Sequence, residues 1–238
     1  MKKKKEIEII IDNASDFNKV ENIDREKCDT VVLYIKHDID FKGVDFKPID
    51  ASNLNVIIVG ESDRPNRRPV LNNLTIDNKK GKETGIFLRV KSIAISNVNM
   101  ANFDIKGDVC TGMLAGSVDR VAVVENCGVT GSVEATAYCG SLFGTVGRLR
   151  LEDTIICTEV TGRDIIGGVV GIANSVKGLN AFVKAKINAA IGKAQGQIAG
   201  YNSSENSQRV MEMLADTLPL LEPKPTLEEM ELIRHFTR

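Results

Sequence analysis

The chain has 238 residues, 42% hydrophobic and 26% charged, the balance of a folded protein with a substantial core. Its 31 Lys and Arg nearly cancel its 32 Asp and Glu, so no global field draws it to nucleic acid or to an acidic membrane, and neither is expected as a partner. Aromatic residues make up 5% and tryptophan is absent, which counts against a surface that stacks bases or sugar rings.

The first twelve residues, "MKKKKEIEIIID", begin like the basic region of a secretory signal, but Glu6, Glu8 and Asp12 interrupt the apolar run that must follow. No apolar run is long enough to span a bilayer, so a cytoplasmic location is expected. Five cysteines, an odd number without a CxxC pair, point to free thiols rather than a metal site. "EIEIIID" reads as a strand. "NASDFNKVENID" reads as a short helix, with Ser15 or Asp16 as N-cap before Phe17, Val20 and Ile23. Residues 1–50 are taken as an N-terminal cap and lead-in segment that covers the open end of the following stack.

Residues 51–203 read as stacked coils. "LNVIIVGESDRPNRRPVLNNLTID" and "GIFLRVKSIAISNVNMANFDIKG" alternate apolar runs with turn residues. A locally basic stretch from Arg64 to Lys91 (Arg64, Arg67, Arg68, Lys79, Lys80, Lys82, Arg89 and Lys91) is expected to form solvated loops. The regular part follows. A Gly-x-apolar-x-Gly pattern occurs at Gly112 and Gly116, Gly140 and Gly144, Gly167 and Gly171, and Gly196 and Gly200. Its first glycines recur every 27 to 29 residues, the signature of a stacked-repeat fold. Val118 and Val146, then Arg120 and Arg148, sit at matching offsets, followed by the period-two runs "RVAVVENC", "RLRLEDTIIC" and "GLNAFVKAKI". Short strands with glycine corners and no helical pattern between them give an all-β, parallel β-helix with a repeat of about 28 residues. The glycines are assigned to coil corners, where a sharp turn with positive φ and close stacking exclude a Cβ, with Leu142 between two of them pointing inward.

Several of these segments resemble a known family. "HDIDFKGVDFKPID" (His37 to Asp50) looks like the segment that precedes GLUG-motif β-helices of bacterial surface proteins. The glycine corners followed by "ENCGVTGSV" are similar to the GLUG repeat itself, and "VIIVGESDRPNRRPVL" is similar to early coils of pectin-lyase-like β-helices. The resemblance runs from about His37 to Gly200. It implies a right-handed β-helix of bacterial type, and it carries no catalytic residues to transfer.

The tail, residues 204–238, changes character. Val210, Met213, Leu214, Leu218 and Leu221 share one helical face. After the "EPKP" break, Thr226 and Glu229 form a capping-box pattern ahead of a second helix. The first helix is read as a cap on the last coil. The second, through Leu227, Met230, Ile233 and Phe236, is the candidate partner-binding segment.

Chemistry is sparse. His37 and His235 lie at opposite ends of the chain, there is no P-loop or GxSxG, and no cofactor or metal is expected. A step of 28 residues aligns Asp108 with Thr136 and then with Asp164. Two carboxylates two coils apart would lie roughly 9–10 Å from each other, at the upper edge of the spacing used by inverting glycosidases. The bland reading is two solvated acids. Cys127 and Cys157, 30 residues apart, and Cys110 and Cys139, 29 apart, also fit the coil period and are read as a ladder of core thiols.

The reading is a non-catalytic β-helix module that binds a protein partner or self-assembles. The rival is a glycan-binding or glycan-cleaving β-helix, expected to carry a grooved acidic face. A fragment of a bacterial surface adhesin is a third possibility, with surface location in that case.

Overall fold

The computed structural model describes residues 5–62, 67–189 and 194–202. β1 (Lys5–Ile11) leads into a 3-10 helix (Ala14–Asn22), then β2 (Cys28–Ile35), β3 (Ile39–Asp40), β4 (Ile49–Gly60), β5 (Val70–Asn72) and β6 (Thr75–Asp77). The next coils hold β7 (Glu83–Thr84), β8 (Phe87–Ser96), β9 (Asn99–Lys106), β10 (Cys110–Thr111), β11 (Ala115–Glu125) and β12 (Gly128–Ala135). They continue through β13 (Tyr138–Gly140), β14 (Phe143–Glu152), β15 (Ile155–Gly162), β16 (Ile165–Gly167), β17 (Val170–Leu179) and β18 (Phe182–Ala189), ending with β19 (Ala194–Gly196) and β20 (Ala199–Asn202).

These strands form three parallel sheets, so the fold is the expected parallel β-helix. The first face runs β1-β2-β4-β8-β11-β14-β17-β20. The second runs β3-β5-β9-β12-β15-β18, with β6 also on β9, and the third β7-β10-β13-β16-β19. Each strand is bonded only to its counterparts one coil before and one coil after. The first face already includes β1 and β2, so the expected boundary at residue 50 falls inside the stack.

Inward positions form apolar columns along the axis. Ile49, Phe87, Ala115, Phe143, Val170 and Ala199 are successive register partners, and all are buried. Large and small residues alternate here: Ala115 fits between two phenylalanines, which lets coils stack at the usual strand spacing without a void. At the N-terminal end, Phe17 of the 3-10 helix meets Phe41 and Phe46, and Phe41 meets Phe103, all at ring-centroid distances of 5.4–6.4 Å. This aromatic plug closes the core. The helix's N-cap is Asn13, earlier than the expected Ser15 or Asp16. Its side chain accepts from Ser15 N–H, while the Asp16 carboxylate accepts from the Asp12 and Asn13 N–H groups. Asp16 is the reciprocal half of the capping box.

The glycine corners are real, but their cause differs from the expected one. Leu142 is fully buried, and Gly140 and Gly144 bracket it. Positive φ among glycines is confined, in the described residues, to Gly43 and Gly131. The corner glycines are required by close approach alone. A Cβ at Gly140 would overlap the Val170 Cα of the next coil, and one at Gly144 would lie 2.5 Å from Thr111 N of the previous coil.

Left-handed backbone sits at a different corner, where the chain leaves the first face for the second. Asn97, Asn126, Asp153 and Asn180 all have φ between 46° and 57°. Asn and Asp tolerate that conformation better than other residues with a side chain. They also bond along the axis: Asn126 Nδ2 donates to Asn97 Oδ1 (2.7 Å) and Asn180 Nδ2 to Asp153 Oδ1 (3.1 Å).

Coil length is not constant. Val118 pairs with Val90 and Val146, whereas Ala122 pairs with Ile93 and Leu149, so β11 carries one extra residue relative to both neighbours. That bulge puts Arg148 opposite Val121. The expected column of Arg120 and Arg148 does not form.

Candidate functional site

Two surfaces stand out. On the first face, outward side chains stack in columns along the axis. One column runs Glu8, Val32, Ile57, Ala94, Val123, Arg150, Lys177. The adjacent column runs Ile10, Tyr34, Val59, Ser96, Glu125, Glu152, Leu179. The outward positions are therefore apolar through much of the N-terminal half and charged toward the C-terminal half. Tyr34, Ile57, Val59, Ala94 and Val123 are only half-buried. Ile10 and Leu179, at opposite ends of their column, are 46% and 56% exposed. A strand with apolar residues on both faces is the pattern of a sheet covered on both sides. "VIIV" in β4 has it; "RLRLE" in β14 does not.

Acids border the N-terminal edge of this patch. Carboxylates at Glu8, Glu61 and Glu6, with burial, push the Tyr34 phenol above its ordinary value, Glu8 contributing most. Negative neighbours disfavour the phenolate, so stability should decline as pH rises past 10, where the unfolded chain's phenol ionises and Tyr34 does not. In an alkaline titration followed by ultraviolet difference absorbance, Tyr34 is expected to ionise above the model-peptide range near 10. Glu8→Gln should lower its midpoint; an unchanged midpoint contradicts this assignment.

The second surface is a groove of about 600 Å³ at the N-terminal end of the second face. The loop after β3 overhangs it with Lys42 and Asp45, and Asn73, Thr75, Asp77 and Asn102 rise from the coils beneath. Asn73 Nδ2 donates to Asp40 Oδ1 (2.9 Å), and Asn102 Nδ2 to Asn72 Oδ1 (3.1 Å). The Asn73 bond and the Lys42 N–H hold the Asp40 carboxyl below the usual carboxylate range. Asp45 pairs with Lys47 (2.8 Å). Phe41 lines the groove but is 2% exposed, so a ligand there would meet amides, hydroxyls and carboxylates rather than a ring face. Sequence reading missed this groove, because its loop and floor lie 30 to 60 residues apart in the chain.

The eight corner glycines lie where the third face turns into the first, in β10–β11, β13–β14, β16–β17 and β19–β20 or the short turns that join them. The candidate acids do not share a column. Thr136 N–H donates to the Asp108 carbonyl (2.7 Å), but Tyr138 pairs with Ile165, which sets Asp164 opposite Ala137. The coil from β13 to β16 is one residue shorter than the coil before it. Asp164 is ion-paired to Arg163 Nε at 3.5 Å.

The expected cysteine ladder does not form either, because neither pair's spacing matches its register. Cys110 pairs with Tyr138 and Cys139 with Thr111. Cys157 pairs with Thr130, and the register of Gly128 with Ile155 sets Cys127 opposite Thr154. Cys127 and Thr154 fill equivalent corners, each donating to the carbonyl two residues back. All five cysteines are free thiols. Burial pushes the Cys127 thiol up to about 11 and the Cys139 thiol higher still. Native-state labelling with a thiol reagent is expected to reach Cys110 and Cys157 only, with Cys28, Cys127 and Cys139 reacting after denaturation. Rapid labelling of more than two thiols contradicts this burial pattern.

Within the basic stretch Lys79, Lys80 and Lys82 are exposed, as expected of solvated loops, while three arginines are stapled to the coils. Arg67 bonds Asp38, Arg89 bonds Glu83 (2.6 Å), and Arg68 donates to the Asn126 carbonyl (2.9 Å) and Oδ1 (3.0 Å). Arg64 and the whole tail, with Leu227, Met230, Ile233 and Phe236, lie outside the described residues.

The fold and these surfaces define a parallel β-solenoid with a polar groove and a half-apolar flat face. No family model matches the chain, and no curated protein matches it, so the GLUG resemblance rests on its motifs alone. Among solved structures, the chain is similar to a 1.30 Å crystal structure described as a "putative immunoglobulin A1 protease from Bacteroides ovatus". The identity is 13%, the TM-score 0.46, and the match covers 82% of this chain and 77% of that one.

Proposed function

We propose that this chain is a non-catalytic assembly module that self-associates through its first face. The observation that carries this reading is the two-sided apolar character of β2 and β4, whose outward Tyr34, Ile57 and Val59 stay half-exposed in the single chain. Separation of Asp108 and Asp164 into different columns also weighs against the paired-carboxylate alternative. Sedimentation of the full chain across a concentration series tests the proposal. Reversible association is expected, and Ile57→Lys, a change at a half-exposed outward site, should remove it while circular dichroism stays unchanged. A full chain that remains monomeric at every concentration refutes the reading.

The groove supports a second reading, a glycan-binding module. Asp77, Thr75 and Asn102 present hydrogen-bonding groups suited to sugar hydroxyls. Glycan-array binding that Asp77→Ala abolishes would favour it; no binding removes it.

A further inference from the structure

The first face carries more than an apolar patch: its outward columns are self-complementary when read in reverse. Among the described residues the Glu8 column has seven positions, with Ala94 at its centre. From the geometry we infer that the occupant of this face is a second copy of the chain, related by a two-fold axis that runs parallel to the strands over β8. This rests on the assembly reading above and specifies its arrangement.

A rotation about that axis keeps strand direction and reverses the order of coils, so β4 of one copy faces β11 of the other and β1 faces β17. In the central column, Ala94 meets Ala94, Ile57 meets Val123, and Glu8 meets Lys177. Val32 faces Arg150, whose alkyl stem can lie along it. In the adjacent column, Ser96 meets Ser96, Val59 meets Glu125, and Tyr34 meets Glu152. The two most exposed apolar residues of that column, Ile10 and Leu179, face each other. No like charges oppose one another in either column, and the single directly opposed ion pair, Glu8 with Lys177, recurs at both ends. Such mutual matching is what an isologous interface requires of one surface.

The other order is less favourable on the same column. Stacking two copies with coils in the same order and the two-fold axis over that column would set Glu8 against Glu8, Arg150 against Arg150 and Lys177 against Lys177, three like-charge contacts in seven. A small residue at the centre, Ala94, lets the two sheets approach at the usual face-to-face distance of about 10 Å. The seven strands span about 29 Å, and the outward residues of each run about 16 Å along the strand. Two such faces bury about 1,000 Å², the lower limit for a specific interface, so a reversible dimer is expected rather than a permanent one.

The test is a charge swap in the full chain, read by sedimentation equilibrium. Wild type is expected to dimerise. Lys177→Glu should weaken the dimer at least tenfold, Glu8→Lys should do the same, and the double variant should recover most of the loss. Ala94→Cys, at the axis, should cross-link to itself with a short bismaleimide, above the background of the parent protein. A dimer indifferent to both charge changes, with no cross-link at Ala94→Cys, overturns this arrangement while leaving the assembly reading in place. A monomer at all concentrations overturns both. In that case, labelling of a Val59→Cys variant tells a bare face, which reacts fast, from one covered by residues 203–238, which reacts slowly.

Discussion

Gly140→Ala is expected to destabilise the fold by about 3 kcal/mol, the upper end of the usual cost of overpacking, because the obstacle is backbone. The new methyl would run into Val170 Cα and the carbonyls of Phe143 and Val169. None of these is the end of a side chain that could rotate away. Relief would require moving one coil relative to the next, and that would disturb the bonds Leu142 N–H and Phe143 N–H make to the Val169 carbonyl. The urea midpoint, followed by circular dichroism, checks this. A loss under 1 kcal/mol would mean that the coil spacing at this corner is slack.

Phe143→Ala should cost about 4 kcal/mol, within the range for deleting a buried phenylalanine. Phe143 is fully buried and stacks between Ala115 and Val170. Because Ala115 is already small, truncation leaves two adjacent alanines and a void the rigid coils cannot collapse into. The companion change Phe143→Leu should recover at least half the loss, which separates a cavity effect from a general failure to fold. Equal destabilisation by both variants would contradict the alternating-size account of the column.

Gly140 belongs to the most legible part of the sequence. A glycine needed by backbone approach recurs in four successive coils, so a pattern search finds the corners and the period together. Leu142 then falls inward by position, whereas Phe143 beside it is placed only by the structure. The columns were harder. Adding a constant 28 aligned Asp108 with Asp164, and looser steps of 29 and 30 paired the cysteines, yet the bulge at residues 119–121 and the shorter coil before β16 each shift the register by one residue, and the step after Cys127 is 27 residues. In a strand a shift of one changes which face a side chain occupies, so small irregularities defeat arithmetic that the fold itself tolerates. The left-handed corner was present as "SNVN", "ENCG", "EDTI" and "LNAF", but a search keyed to glycine passes over a turn built from Asn and Asp. The half-apolar character of the first face lies in the apolar run of β4 against the alternation of β14, but the order of its outward columns needs the pairing of the strands. The groove needs tertiary structure outright.

Because each coil is bonded only to its two neighbours, the molecule resembles a zipper with two ends rather than a body with one centre. Its loss of structure should then proceed by fraying inward from an end rather than all at once. The N-terminal end is locked by four phenylalanine rings, a plug that must loosen before β1 and β2 can peel from β4. Amide exchange should therefore be slowest in β8 and β11, the strands deepest in the stack, and Phe17→Ala should speed exchange in β1 and β2 well before it is felt in β8 or β11.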